Sequence, residues 1–471
     1  MTKRTRLILL LLCVVCFFVL APYIVLYSLG YRVDFLHMKI TATGGIYIKA
    51  APLPLEISID SKIQKPGLFA SSIFVQNLLP KSHAVLIKKD GYYDYQKNLE
   101  VKENLATKLE HVLLFKKDIL FDNLINKTDY FSVSPDVTKI ILTLETKNKI
   151  QLNIFDTQDK SQKILFELSL SAKIQDLKWS DNSQMVLLKT INSSKTEYFL
   201  LDTNKTQGVP QESALLALTY LNKNSQQIYF NPQDPQELFF MENKKIYSAK
   251  NNKASAIISN AISYKISDNN IIWLSSEGFL LRSDISGKLI EKITSEGFAP
   301  NSKKTYEVYV VSSKIFLREN DALFMVESAT KTLEKFKIPI TNYKLLASGD
   351  SQKLICFNDN KVYIYLFAEP EKENTLLYGV PGAPPGSSSE KINNLFWLNN
   401  DYLIFQDGNK IIISEIDYRN EINIVELPKN TTLPDGKTIE IKNPEIYFNQ
   451  QDKKLYILTD NNLLVSEKLA P

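Results

Sequence analysis

The fold is decided by a short pattern, first seen at Phe131-Ser132-Val133-Ser134-Pro135-Asp136 and completed by Lys139-Ile140-Ile141-Leu142. The pattern is an apolar strand, a polar turn that contains Asp, and a second apolar strand. The next copy reads Leu177-Lys178-Trp179-Ser180-Asp181 and then Gln184 to Leu188. Further copies follow along the chain, and their turn aspartates are Asp234, Asp268, Asp350, Asp401 and Asp452.

The spacing of these copies predicts a ring of repeated sheets. A period of roughly 40–50 residues with several short strands is typical of β-propeller blades. One interval is about twice as long and leaves room for a degenerate unit around Tyr306 to Val311. The chain from Asp136 to Pro471 divides into eight units of about 42 residues, and seven blades with an irregular insertion is the alternative. Further alternating strands end at Asp156, Asp202, Asp284 and Asp417.

A ring of blades needs a closure. Each blade has two apolar faces, so neighbouring blades must stack until the circle closes. The first copy begins with its inner strand, and Asp118-Ile119-Leu120-Phe121 precedes it. We predict that this segment supplies the outer strand of the last blade, after Leu463-Leu464-Val465, within a propeller that spans residues 116–471.

The amino terminus predicts a membrane anchor. The chain has no charged residue from Leu7 to Tyr31, which exceeds the roughly 20 residues that a helix needs to cross a bilayer. Lys3, Arg4 and Arg6 precede this stretch and predict a cytoplasmic tail of residues 1–6, a signal-anchor helix at 7–31 and a linker at 32–42. A cleaved signal peptide is the alternative, although its apolar region is normally only 7–15 residues long.

Residues 43–115 show short strands at close spacing and no helical period, which predicts a small antiparallel β-sandwich. A strand opens at Gly44-Gly45-Ile46-Tyr47-Ile48, and Asp90-Gly91 marks the turn of a hairpin because Gly accepts positive φ. With Leu79-Pro80 and Val85 to Tyr92, these residues resemble a PEGA domain. The naming tetrapeptide of that family reads Pro52-Leu53-Pro54-Leu55 here. The resemblance implies a bacterial, extracytoplasmic, non-catalytic module that binds glycan or protein.

The turns Ser134-Pro135-Asp136 and Trp179-Ser180-Asp181 resemble the repeats of TolB-like and WD-type propellers. This resemblance supports the fold more than an activity, because propellers host many functions. The predicted fold class is therefore an all-β ectodomain: an N-terminal transmembrane helix, a small PEGA-like sandwich, and a seven- or eight-bladed propeller.

Composition excludes several classes of site. The chain has 56 Lys and Arg against 52 Asp and Glu, and a net charge of +4 is too small to indicate nucleic acid as a partner. Three His and three Cys supply few ligands for zinc sites and few thiols for disulfides. We assign no catalytic, cofactor-binding or metal-binding residue and no cofactor.

The most conspicuous side chains have structural interpretations. The turn aspartates are expected to bond their own backbone. Trp179, Trp273 and Trp397 are expected in the core rather than stacked on a sugar. The three histidines are isolated in sequence and are not expected to bind metal. They are His37, His83 and His111.

A segment of different composition, 369–391, is predicted to be a mobile insertion. It is charged at Glu369 to Asn374 and rich in Pro, Gly and Ser from Gly379 to Ser389. Two interpretations of this segment remain: a solvated loop and a loop that contacts a partner.

These observations predict a single-pass protein of the bacterial cell envelope that binds protein or glycan through its propeller without catalysis. Its predicted partners are the lipid bilayer and an envelope ligand. A glycan-active enzyme with paired carboxylates in the channel is the alternative. A transmembrane sensor is a third interpretation, although a predicted cytoplasmic tail of six residues leaves little with which to pass on a signal.

Overall fold

The computed structural model describes residues 3–34, 38–64, 72–192, 195–205, 215–368, 375–379 and 391–470. These residues form two compact units. The first comprises residues 1–119, 412–428 and 469–471, and the second comprises 120–411 and 429–468. Most of the predicted insertion 369–391 lies outside the described residues.

Helix α1 spans Lys3–Ser28. Its segment Ile8–Ser28 has a mean hydropathy of 3.0, so by length and composition it can cross a membrane. The helix ends three residues before the predicted boundary because Gly30 adopts a positive φ of 86°, and the Arg32 guanidinium donates to the Tyr27 carbonyl at 2.8 Å.

The residues predicted as a linker contain an antiparallel hairpin. It is formed by β1 (Tyr31–Asp34) and β2 (Lys39–Ala42), with Tyr31 opposite Ala42. The Thr43 N–H donates to the Gly30 carbonyl at 3.0 Å, which attaches the hairpin to the end of the helix.

The next seven strands build the small β-domain of the first unit. They are β3 (Gly44–Ala51), β4 (Glu56–Ile59), β5 (Lys62–Gln64), β6 (Ser72–Leu78), β7 (Ser82–Lys88), β8 (Tyr95–Glu100) and β9 (Ala106–Leu113). They form a four-stranded sheet of order β5-β4-β7-β8 and a three-stranded sheet of order β6-β3-β9. Alternate residues of both sheets, such as Ile46, Ile59 and Val85, enclose one apolar core.

Two sequence predictions for this domain are settled by its strand pairs. The hairpin around Asp90-Gly91 is confirmed, since β7 pairs with β8 and Gly91 has a φ of 75°. The prediction of a purely antiparallel arrangement is wrong for one pair, because β3 and β9 run parallel. The chain crosses from β8 in one sheet to β9 in the other and so arrives beside β3 in the same direction.

Apart from residues 412–428, which belong to the first unit, the repeats lie in the second unit. Its first sixteen repeat strands after β10 (Phe121–Asn126) are β11 (Tyr130–Val133), β12 (Lys139–Glu145), β13 (Lys149–Asp156), β14 (Gln162–Ser169), β15 (Ala172–Trp179), β16 (Met185–Asn192), β17 (Lys195–Asp202), β18 (Leu215–Ala217), β19 (Gln226–Phe230), β20 (Leu238–Glu242), β21 (Lys245–Lys250), β22 (Lys253–Ser259), β23 (Ala261–Ser267), β24 (Asn270–Ser275), β25 (Leu280–Asp284) and β26 (Glu291–Lys292). Each consecutive group of four forms one antiparallel sheet.

The remaining strands continue this order. They are β27 (Tyr306–Val311), β28 (Lys314–Glu319), β29 (Ala322–Val326), β30 (Leu333–Phe336), β31 (Lys344–Ala347), β32 (Lys353–Phe357), β33 (Val362–Leu366), β34 (Thr375–Tyr378), β35 (Ile392–Trp397), β36 (Tyr402–Asp407), β37 (Lys410–Glu415), β38 (Ile424–Glu426), β39 (Asn430–Thr432), β40 (Thr438–Glu440), β41 (Glu445–Asn449), β42 (Lys454–Thr459) and β43 (Asn462–Ser466). Strands β39 and β40 form a separate hairpin, and the last sheet has the order β10-β43-β42-β41. The described residues thus contain eight four-stranded sheets of the repeat type, and the segment Tyr306 to Val311 begins one of them.

Neighbouring sheets pack face to face through apolar clusters. Ile141 and Leu152 of one sheet share a cluster with Val186 and Leu188 of the next. Phe131 packs in a cluster with Leu463 and other residues of the last sheet, so the series closes on itself. A closed series of four-stranded antiparallel sheets stacked in sequence order is a β-propeller.

The predicted closure is confirmed, with a small shift along the chain. Strand β10 pairs with β43 in antiparallel register, with Phe121 opposite Ser466 and Asn126 opposite Asn462. The Glu467 N–H donates to the Leu120 carbonyl at 2.9 Å. The strand therefore begins where the predicted segment ends, at residue 121.

Candidate functional site

A cavity of about 540 Å³ lies at one end of the sheets in the second unit. Strands alternate in direction, so the connection into the first strand of a sheet and the turn between its second and third strands lie at the same end. The cavity is lined there by Thr305 and Tyr306 at the start of β27, by the β28–β29 turn at Asn320-Asp321, and by Asn342 before β31. It also includes Gln227, Glu307 and Arg318.

Arg318 is the cation of the cavity lining. Its Nε–H donates to the Asn320 carbonyl at 2.7 Å, and its guanidinium lies 4.4 Å from the centre of the Tyr343 ring. Partial burial acts to lower the pKa of Arg318, but hydrogen bonding with Tyr309 and the charge of Glu307 outweigh it and raise the pKa. The arginine is therefore a fixed positive charge.

Glu307 and Asp321 are the two carboxylates of the lining. The Tyr309 hydroxyl donates to Glu307 Oε2, and burial followed by this contact raises the pKa of Tyr309 to about 12. Asp321 Oδ1 accepts the Asn342 N–H at 2.8 Å and lies 3.9 Å from Arg318. The carboxylates are thus held by neighbouring strands and loops of two consecutive sheets.

A polar network below the cavity connects three sheets. The Gln227 side-chain amide donates to Ser263 Oγ at 2.9 Å and accepts the Tyr264 N–H at 3.0 Å. Ser263 Oγ in turn accepts the Val308 N–H at 3.1 Å. Because Tyr264 and Ser263 are fully buried, this network fixes the inner strands β19, β23 and β27 relative to one another.

The inner strands also carry a cation on an aromatic face. Lys265 Nζ lies 4.7 Å from the centre of the Tyr229 ring, and Tyr229 packs edge-on against Tyr264 at 5.3 Å. Burial lowers the pKa of Lys265, and the charge of Glu307 partly opposes this effect.

A second cavity of about 480 Å³ shares Asp321 with the first. Its lining combines the apolar segment Ile338-Pro339-Ile340 with Asn358 and Lys361. Asp321 therefore stands between two adjoining cavities.

The turn aspartates lie at the other end of the sheets, between first and second strands. The expected structural role is confirmed for Asp136, whose Oδ1 accepts Ser134 Oγ–H at 2.7 Å and the Thr138 N–H at 3.1 Å. Asp350 is held in the same way by Ser348 and Gln352. The prediction is wrong in detail at Asp181 and Asp401, where the acceptors are the neighbouring asparagines Asn182 and Asn399.

Of the other side chains singled out in the sequence, His37 lies outside the described residues. Trp273 and Trp397 are buried in the core as predicted, whereas Trp179 is only partly buried against an apolar cluster and donates from Nε1 to Ser132 Oγ at 3.0 Å. His83 is buried between Asp60 and the Leu79 carbonyl. Burial raises the pKa of the Cys356 thiol to about 12. Among the described residues, no group of three or more His, Cys, Asp or Glu side chains is arranged to hold a metal ion.

Sequence reasoning did not single out the cavity residues. Arg318 and Asp321 belong to the sheet whose repeat pattern is weakest in the sequence, and Asn342 precedes the next sheet. All three stand in loops or at strand ends with no motif around them. Asn320 and Asn342 both adopt positive φ near 50°, which Asn tolerates better than most residues. The sequence alone did not predict that both residues adopt this left-handed backbone conformation.

Comparisons with known structures give distant likenesses. No family profile and no curated protein sequence matches the chain. The Dos1 propeller is similar with a TM-score of 0.49 and 12% identity, covering 74% of this chain and 95% of that one. BamB from Moraxella catarrhalis gives 0.43 and 10%, covering 74% and 98%, and a prolyl endopeptidase structure gives 0.41 and 10%, covering 72% and 55%. Such values carry no argument about function, and the β-propeller described above rests on the sheet order and packing.

Proposed function

We propose that this protein is a non-catalytic binding or scaffold protein of the bacterial cell envelope. Helix α1 anchors it as a single-pass protein with its amino terminus in the cytoplasm, and both β-units lie outside. The small domain is a PEGA-like sandwich, and each repeat sheet is one blade of an eight-bladed propeller. The propeller binds protein or glycan.

The observation that carries this proposal is the cavity between the sheets that begin with β27 and β31. Its volume of about 540 Å³ lies in the range of small-molecule and cofactor sites. The network through Gln227 and Ser263 holds its walls before any ligand arrives, and such preorganisation lowers the free-energy cost of binding.

The binding role is tested by retention of envelope material on the full chain. Wild-type protein in detergent micelles is immobilised and exposed to solubilised envelope, and retained protein and glycan are quantified. We expect retention that falls at least tenfold in Arg318→Gln and is unchanged in Lys163→Gln, which alters an exposed lysine of another sheet. Equal retention by all three proteins would contradict the proposal.

A glycan-active enzyme is the second candidate, because Glu307 and Asp321 line the same cavity. Glycosidases use two carboxyl groups, one as acid and the other as base or nucleophile. Release of new reducing ends from envelope glycan by the wild type, but not by Glu307→Gln, would favour this candidate.

A further inference from the structure

The lining of the 540 Å³ cavity presents hydrogen-bonding groups with no partner among the described residues. The contacts of Tyr309 and Asn342 occupy one oxygen of each carboxylate. In the part of the chain that the structure describes, Glu307 Oε1, Asp321 Oδ2 and the Asn342 side-chain amide form no intramolecular hydrogen bond. These unused groups supply both acceptors and donors.

The charges of the lining restrict what can bind. Glu307 and Asp321 disfavour an anion such as phosphate, because two carboxylates face the same space. Arg318 disfavours a cation such as a lysine side chain, and it stays charged. A neutral ligand whose groups both donate and accept matches this mixture, and hydroxyl groups have that property.

The second cavity adds length and an apolar wall. It adjoins the first at Asp321, and its Ile338-Pro339-Ile340 segment offers hydrocarbon surface beside the Lys361 side chain. Sugar rings combine C–H faces with edges of neighbouring hydroxyls. Two adjoining cavities of about 540 and 480 Å³ exceed the needs of a single ring.

We infer that the two cavities bind a neutral oligosaccharide that passes over Asp321. Glu307 and Asp321 accept hydrogen bonds from its hydroxyl groups, Arg318 and Asn342 donate to them, and the Ile338-Pro339-Ile340 segment contacts a ring face. This inference rests on the proposed binding function and specifies its ligand.

The test uses the full chain in a zwitterionic detergent without a sugar headgroup. Binding of cellotetraose, chitotetraose, maltotetraose and mannotetraose is measured by saturation-transfer NMR and titration calorimetry, with tetralysine and tripolyphosphate as charged probes. We expect saturable binding of at least one tetrasaccharide, weakened at least tenfold in Asp321→Asn and in Glu307→Gln.

The control variant is Asp181→Asn. It makes the same chemical change at an exposed aspartate at the other end of the sheets and leaves the affinity unchanged. Thermal unfolding checks that each variant folds.

The outcomes separate this inference from the proposed function. If none of the four tetrasaccharides binds, the inference is overturned. The binding function still stands if retention of envelope protein or binding of a charged probe depends on Arg318. Saccharide binding that neither carboxylate variant weakens overturns the assignment of the binding site to these two cavities. Cleavage of a bound tetrasaccharide supports the site and overturns the non-catalytic function. If no probe binds and no envelope material is retained, both fail.

Discussion

Lys97 and Glu415 form an ion pair in which both side chains are buried, with 0% and 4% of their surface exposed. The other carboxylate oxygen of Glu415 accepts the Tyr95 hydroxyl at 2.9 Å, and the Asn423 side-chain amide donates to the paired oxygen at 2.9 Å. Lys97 Nζ also donates to the Asp417 carbonyl at 2.7 Å. Every charge in this network of the first unit therefore has a partner, as buried charges require.

Removing one member of this pair should destabilise the protein strongly. Lys97→Met leaves the Glu415 carboxylate buried without its counter-charge, which costs about 3–5 kcal/mol. The double variant Lys97→Met with Glu415→Gln should recover much of that loss, because neither member of the pair is then charged and Asp417 keeps Arg419 as its partner. The measurement is the unfolding midpoint of the full chain in detergent.

The control for this prediction is another lysine of the first unit. Lys88 pairs with Asp94 at 3.0 Å, and both side chains are about half exposed. Lys88→Met should change stability by roughly 0–1 kcal/mol, as surface ion pairs do. Equal effects of Lys88→Met and Lys97→Met would contradict the assignment of Lys97 to a buried network.

The Lys97–Glu415 network could not be predicted from the sequence, whereas the repeated sheets could. The strand–turn–strand pattern is local, and its period identifies sheets that need neighbours. Lys97 and Glu415 are separated by 318 positions, and neither stands in a motif. The same limit applies to the cavity, because Arg318 and Gln227 line one space only when three consecutive sheets pack together.

Acid should weaken the first unit through Asp60. Burial acts to raise the pKa of Asp60, but hydrogen bonds from His83 and the Ala84 N–H outweigh it and lower the pKa below 3.8. A lowered folded-state pKa contributes stability above the unfolded value, and this contribution is lost as pH falls through the folded-state pKa. The wild type should therefore unfold at a higher temperature than Asp60→Asn at pH 6, and the difference should shrink as pH falls below 3.8. A constant difference from pH 6 to pH 3 would show that Asp60 acts without its charge.

The turn aspartates should differ in their contribution to stability although they look alike in sequence. Asp136→Ala removes the acceptor for Ser134 and Thr138 and should cost about 1 kcal/mol. Asp181→Ala should cost less than about 0.5 kcal/mol, because Asn182 is the acceptor in that turn. Denaturant unfolding of the two variants beside the wild type measures this difference. Equal losses would mean that both aspartates carry the turn.

The closure of the propeller can be tested by a cross-link between its first and last strands. Asn126 of β10 lies opposite Asn462 of β43, and both are outside the apolar core. Directly opposed residues of antiparallel strands have Cα atoms about 4.5–5.5 Å apart, which suits a disulfide. Asn126→Cys with Asn462→Cys should therefore form a disulfide under mild oxidation, detected as a linked peptide by mass spectrometry. Cys356 does not compete, since it is buried with 1% of its surface exposed, and the exposed Cys13 and Cys16 of α1 are replaced by serine in both variants. Asn126→Cys with Asn204→Cys places the second thiol in the turn after β17, at a different sheet, and should not cross-link. A cross-link in both variants, or in neither, would contradict the pairing that closes the ring.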